Sequence, residues 1–293
     1  MGARDPLSTA AGRPPADDAR EYEFHAKDFE RVRRLIYQRA GINLSEHKQN
    51  MVYSRLSRRL RVHGMASFGQ YLDRFESDPG FSADEDQEFV NALTTNLTSF
   101  FREGHHFPVL EEFLRSLPGG SEPRIWCAAA STGEEPYSIA ITMREAAGAR
   151  PPGALLATDI DTNVLATAAR ATYKLESAQA CGEPRLRRCF LRGKGGNEGM
   201  VRVRPELTQL VRFGQLNLLD SEYPLVRSFS AQLDAVFCRN VMIYFDRKTQ
   251  KEILRRIVQL LRPGGLLFVG HSENFTDCSE YLSLRGKTVY LRK

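Results

Sequence analysis

The chain has 293 residues, enough for one large or two modest domains, and its 42% hydrophobic and 26% charged residues are the proportions of an ordinary soluble globular protein. Lys and Arg exceed Asp and Glu only slightly, 41 against 36, so the basic excess has meaning only where it clusters. Cys127, Cys181, Cys189, Cys238 and Cys278 are scattered, which speaks against a zinc site or a disulfide framework and points to a reducing, cytoplasmic setting. No apolar run approaches the roughly 20 residues needed to span a bilayer. The amino-terminal stretch lacks the apolar core of a signal peptide, and Met1-Gly2-Ala3-Arg4-Asp5-Pro6 is a poor myristoylation match.

Residues 1–20, rich in Ala, Pro, Gly and Asp, read as a disordered tail. A helix follows with Phe29, Val32, Leu35, Ile36 and Ala40 on one face and Gly41 as its stop. Ser45 is placed to cap a second helix running to about Val62 and ending at Gly64. Tyr53, Leu56 and Leu60 share one narrow arc of it, and Lys48, Arg55, Arg58 and Arg59 lie opposite. That cationic side is either a solvated face or a docking face for an acidic macromolecule, nucleic acid or helical protein. A third helical stretch covers 68–76 and is broken by Asp78-Pro79-Gly80; acidic residues from Asp84 to Glu88 then lead into a helix ending near Leu93. The all-helical module thus spans 21–93.

Residues 94–103, Thr-Thr-Asn-Leu-Thr-Ser-Phe-Phe-Arg-Glu, break the helical pattern. Phe100-Phe101-Arg102 suits a segment packed over a pocket better than a bland linker. His105 and His106 invite a metal reading, but adjacent helical positions point about 100° apart, and no third ligand lies at useful spacing, so no metal is expected. A helix over 108–117 completes an interdomain stretch, 94–121.

The domain from 122 onward opens with a strand–turn–helix. Arg124-Ile125-Trp126-Cys127-Ala128-Ala129 reads as a buried strand, Ala130-Ser131-Thr132-Gly133 as a tight turn, and Glu134-Glu135-Pro136 as the first turn of a helix, where proline loses no partner. This is how α/β sheets present backbone N–H groups to a ligand. A single glycine rules out the dinucleotide fingerprint, and two glutamates at the helix mouth would repel a pyrophosphate but hold a cationic group. A second strand, 154–158, ends in Asp159-Ile160-Asp161, 26 residues after Gly133 at Asp159. A carboxylate there accepts from both hydroxyls of a ribose; with two aspartates, one can cap the following helix and Asp159, nearer the strand, is the ribose candidate.

Beyond it, 175–212 interrupts the alternation. The stretch 185–191 leads through Gly193-Lys194-Gly195-Gly196-Asn197-Glu198-Gly199 into Val201-Arg202-Val203-Arg204, a hairpin signature and a small antiparallel insert. The glycine loop lacks the Lys-Ser/Thr and helix of a phosphate cradle. Strands are expected at 211–218, 233–238 and 266–269, a helix at 248–261 capped by Asp246, and a closing hairpin over 282–291.

Three blocks, 94–103, 128–137, and 237–246 with 270–275, resemble the chemotaxis receptor methyltransferase (CheR) family, and the resemblance covers essentially everything after the tail. It implies an α/β chain: a small all-helical N-terminal domain, then a Rossmann-like class I methyltransferase domain (122–293) with a mixed seven-stranded sheet and a β insert at about 175–212. It implies S-adenosylmethionine as cofactor, S-adenosylhomocysteine as product, and glutamate side chains in the cytoplasmic helical domain of chemoreceptors as substrate. By resemblance, Asn96, Thr98 and Arg102 close over the cofactor, Glu135 and Asp159 hold its methionine and ribose parts, and Asn217, Leu218, Arg239 and Asn240 contact its adenosine or methionine end. Arg102 and Tyr244 face the reacting centre, and Arg55, Arg58 and Arg59 dock on the acidic receptor bundle. In some family members the insert binds a receptor C-terminal peptide by strand addition. Neither nucleic acid nor membrane insertion is implied; the rivals are a nucleic-acid methyltransferase and a non-catalytic S-adenosylmethionine sensor.

Overall fold

The computed structural model describes residues 20–275 and 278–293; the tail expected over 1–20 lies outside them apart from Arg20. The helical domain comprises α1 (Ala26–Ala40), α2 (Gln49–His63), α3 (Phe68–Ser77) and α4 (Pro79–Leu93). Phe29, Val32, Leu35 and Ile36 of α1 pack with Leu56, Leu60, Phe68, Phe75 and Phe89 in one core. Two boundaries differ from the sequence expectation. Ser45 precedes a 3₁₀ turn, Glu46–Lys48, and its side chain makes no capping bond to α2. The Asp78-Pro79-Gly80 break is itself a helix start: the Asp78 carboxylate accepts from Phe81 N and Pro79 takes the first turn, so α4 begins before the acidic run.

After α5 (His106–Ser116), which starts two residues earlier than the sequence suggests, come β1 (Arg124–Ala128), α6 (Glu134–Ala147), β2 (Ala154–Asp159) and α7 (Thr162–Arg170). The insert follows: β3 (Thr172–Lys174), α8 (Leu175–Ala178), α9 (Glu183–Cys189), β4 (Phe190–Arg192), β5 (Met200–Val203) and α10 (Pro205–Thr208). The chain ends in β6 (Val211–Gln215), α11 (Pro224–Phe229), β7 (Leu233–Cys238), α12 (Arg247–Leu260), β8 (Leu261–Val269), β9 (Leu282–Gly286) and β10 (Val289–Arg292).

Seven strands form a mixed sheet in the order β6-β2-β1-β7-β8-β10-β9, parallel through β8 and antiparallel at the β10 and β9 edge. Its central strands are mostly apolar, as burial on both faces requires, with charged residues only toward their ends. Three further strands form a separate antiparallel sheet, β3-β5-β4. The hairpin read around the glycine loop pairs β4 with β5, but most of 185–191 is helix α9, whose Leu186 and Cys189 turn inward at helical spacing. No helix among the described residues is long and apolar enough to cross a membrane.

Candidate active site

The sheet order reverses at β1, with β2 on one side and β7 on the other, and a crevice outside the carboxyl ends of such strands is where ligands bind. A cavity of about 360 Å³ opens there. Asn96, Thr98, Arg102, Glu135, Asp159, Asn217, Leu218, Arg239, Asn240 and Tyr244 all line it; Arg55, Arg58 and Arg59 do not. Its opposite wall is made by residues with no expected role, Ala40, Ile42, Asn43, Leu44 and Met51 of the helical domain.

The β1–α6 turn reaches the cavity through an unusual backbone. Ala129, Ser131 and Gly133 have φ of 97°, 48° and 101°, and strain of this kind gathers at ligand-binding turns. At Gly133 a Cβ would stand 2.5 Å from the Tyr173 hydroxyl, so only glycine fits. The turn delivers Glu135, buried, into the cavity, while Glu134 accepts from Thr132 Oγ1 at 2.6 Å and stays out of the lining.

Glu135 accepts from Arg239 Nη1 at 2.7 Å. Arg239, wholly buried at the end of β7, also donates to Arg102 O at 2.6 Å and lies 3.4 Å from Glu103 Oε2. Two carboxylates thus share one guanidinium, and Glu103 Oε2 is buried without a hydrogen bond. Burial pushes the Glu135 carboxyl up, against the pull of Arg239. Burial works the same way on Glu103, but the His271 hydrogen bond and Arg239 outweigh it and bring that carboxyl down to about 2. The buried Glu135 carboxylate gives a ligand's cationic part a partner at the cavity wall, and Arg102 and Arg239 stand by for an anionic part.

The two aspartates after β2 divide their work. Asp161 Oδ1 caps α7 by accepting from Asn163 N and Val164 N, and its Oδ2 accepts from Thr94 Oγ1 at 2.6 Å and Asn96 Nδ2 at 2.8 Å, pinning the 94–98 segment over the cavity. Asp159 accepts from Ser131 N and Asp161 N, and burial raises its carboxyl to about 6. Arg102 reaches back along the same segment to Leu97 O at 2.7 Å. Asn217 carries its side chain to Arg39 O at 2.7 Å, joining the two domains at the cavity edge.

Glu273, which sequence reasoning passed over, holds the loop after β7. Its buried carboxylate accepts from Asn240 N at 3.0 Å, Met242 N at 2.8 Å and Gly270 N at 2.6 Å. These bonds hold Asn240 at φ 56° and fix the 3₁₀ turn Met242–Tyr244. The available signal was an acidic residue in the polar run that ends β8.

Two expectations need correction. Arg59 is not part of an open cationic face: its Nε donates at 2.7 Å to Glu85, which is buried and also accepts from Tyr71 Oη at 2.8 Å. Arg55 bonds Thr94 O, and only Arg58 of the three is exposed. A helical-wheel view of α2 had no way to register α4 lying alongside. The histidine pair also has a third donor near it after all, since Glu103, His105 and His106 place ligand-type atoms within 4.8 Å of one another. That carboxylate is engaged by Asn240, His271 and Arg239, and the Nε2 atoms of both histidines meet Lys287 O.

The sequence matches the family described as CheR methyltransferase, SAM binding domain, over residues 96–291, and CheR methyltransferase, all-alpha domain, over 27–94. The chain belongs to the CheR methyltransferase family. It is similar to the chemotaxis protein methyltransferase of Klebsiella aerogenes, 53% identical over 97% of this chain and 93% of that protein. It is 50% identical to chemotaxis protein methyltransferase 2 of Pseudomonas aeruginosa, over 97% and 99%. Among solved structures, PKMT2 from Rickettsia typhi in complex with AdoHcy is similar at 16% identity and a TM-score of 0.32, over 56% of this chain and 24% of that one, too slight a likeness to build on. This CheR-family domain binds S-adenosylmethionine, and the residues fit it: a buried carboxylate, Glu135, for a cationic group and a strand-end aspartate for its ribose.

Proposed function

We propose that the protein methylates glutamate side chains of chemoreceptors, the methyl-accepting chemotaxis proteins, acting in the cytoplasm as a protein-glutamate O-methyltransferase for sensory adaptation. S-adenosylmethionine, when bound, supplies a methyl group activated by its sulfonium. A glutamate of ordinary pKa about 4.3 is already a nucleophile at neutral pH, so the protein needs alignment and exclusion of water rather than a strong base. The observation that carries the proposal is the cavity itself: Arg102 and Tyr244 line it, and no histidine does among the described residues. Arg102 orients the incoming carboxylate by charge-assisted hydrogen bonds, and Tyr244 offers a hydroxyl or its ring face toward the cation. Asn96 and Thr98 cover the cofactor, Glu135 and Asp159 grip its methionine and ribose parts, and Asn217, Leu218, Arg239 and Asn240 flank it. Arg58, with Arg55 beside it, meets the receptor bundle. The β4 edge, next to the 193–199 loop, is open to a receptor C-terminal peptide added as a strand. The names of the Klebsiella and Pseudomonas relatives support the chemotaxis setting.

The deciding test incubates the protein with methyl-labelled cofactor and either receptor cytoplasmic fragments or nucleic acid. Base-labile label on receptor glutamates is expected. Label on nucleic acid, or tight cofactor binding without transfer to any acceptor, overturns the proposal.

A further inference from the structure

Helix α12 carries a cationic stripe with no ion-pair partner among the described residues. Arg247, Lys251 and Arg255 recur every four residues on one exposed side, spanning about 12 Å, with Lys248 beside them. None of the four forms an ion pair among the described residues, whereas Arg31, Arg34, Arg39, Arg61 and Arg74 on the helical domain all do. The helix has one carboxylate, Glu252, and it faces Arg256 at 3.7 Å. The placement works against the helix: Arg247 and Lys248 sit in the first turn, at the positive end of the macrodipole, and like charges four residues apart repel.

The stripe is rigidly registered to the cavity mouth. α12 begins at Arg247, two residues after Phe245 and three after Tyr244, both of which line the cavity, and Gln250 Nε2 donates back to Met242 O at 2.9 Å and Phe245 O at 3.0 Å. Asp246, its N-cap, is held by Tyr37 Oη at 2.6 Å. Ile243, half exposed, lines the cavity four residues before Arg247. From the helical domain Lys48 lines the same cavity, and Arg58 lies exposed on α2. With Arg59 committed to Glu85, α2 offers fewer free cations than its sequence promised.

We infer that the Arg247–Lys248–Lys251–Arg255 face of α12 docks an acidic helical stretch of the protein substrate next to its target glutamate. This rests on the glutamate-methylating function proposed for the same site, since a segment bearing clustered glutamates is the anionic partner such a stripe complements.

The test measures methylation of a soluble receptor cytoplasmic fragment by wild type, by Lys251→Glu/Arg255→Glu, and by a control with the same charge change elsewhere, Lys27→Glu/Arg115→Glu. Cofactor affinity and thermal unfolding are recorded for all three. The α12 variant is expected to raise KM for the fragment about tenfold at low salt, with kcat within twofold, cofactor affinity unchanged, and the effect shrinking as salt rises. A KM equal to the control's overturns the docking inference while leaving the methylating function intact. A defect seen only with receptors in anionic vesicles also overturns it, making the stripe a membrane contact. If wild type leaves the fragment unlabelled, the proposed function falls and the inference with it.

Discussion

On the sheet side of the cavity, Glu135, Asp159, Arg239 and Glu273 are buried ionisable side chains, each fixed by hydrogen bonds at or just beyond a strand end. On the helical side the lining is mostly apolar, Ala40, Ile42, Leu44 and Met51 beside Asn43, Ser45 and Lys48, and the hydrogen bonds that join the domains there include Asn43 N to Tyr244 O at 2.8 Å and Asn217 to Arg39 O. One wall carries buried ionisable groups and the other closes the cavity over them. Buried charges cost free energy unless paired, so a chemical wall demands particular residue types at particular places. An enclosing wall asks only for shape and a few backbone bonds.

The largest effect is expected on the chemical wall. Arg102→Ala should lower kcat by about 10²-fold or more while changing cofactor Kd only a few-fold; Tyr244→Phe should move the same way by less. Single-turnover methyl transfer beside cofactor titration reads both. If Kd worsens by the full factor, Arg102 binds rather than aligns. Glu135→Gln keeps the shape but removes a charge from the Arg239 pair, and cofactor binding should weaken roughly 10- to 100-fold. Unchanged affinity would reduce the β1–α6 turn to scaffold.

Glu273 sharpens the contrast because it touches only backbone. In Glu273→Gln one carboxylate oxygen becomes an NH₂ facing N–H donors, and about tenfold loss of kcat is expected with faster amide exchange at Asn240, Met242 and Gly270. A variant with slow exchange at those amides but the same loss of turnover would separate Glu273 from loop positioning.

Asp159 gives a pH signature. With its carboxyl raised to about 6 by burial, the group is ionised, and able to accept from two hydroxyls, only above that pH. Cofactor affinity should therefore fall by up to about tenfold per unit as pH drops below 6. For folding the sign is opposite. The native state binds the proton more tightly than the unfolded chain, so this residue's contribution to stability is full below the unfolded value of 3.8 and is lost as pH rises through about 6. Asp159→Asn should flatten the affinity profile at the weaker level; a profile as steep as wild type's would assign the titration to another group.

The chemical wall was legible because each element carried a local mark. Glutamates at a helix mouth with one glycine, an aspartate at a strand end, and Arg239-Asn240 after an apolar strand are patterns within a few residues. Glu103 and Glu273 escaped because their meaning lies largely in partners 31 to 168 residues away, as Met242 N and the His271 ring show. Arg59 was misread for the same reason, since its acceptor sits on another helix. Helix α9 was misread because a run such as Leu186 to Leu191 is short enough to suit either period.

The smallest expected effect falls on the enclosing wall, at Gly41. The sequence marks it only as a helix stop, and its φ of 67° is that of a left-handed cap. Its position adds a second constraint, because a Cβ there would stand 2.8 Å from Leu219 Cδ2 and 3.1 Å from Phe245 Cδ1, both across the domain junction. Gly41→Ala therefore meets backbone strain and a push on the very residues that follow Leu218 and Tyr244. About 1–2 kcal/mol of stability should be lost from the strain, together with a few-fold weakening of cofactor binding. Gly64 separates the two causes: it is also left-handed, at 61°, but nothing lies within 4 Å of its Cβ direction. Gly64→Ala should cost similar stability and leave cofactor affinity untouched. Equal affinities for the two variants would mean that the helical wall encloses the cofactor without bearing on its grip.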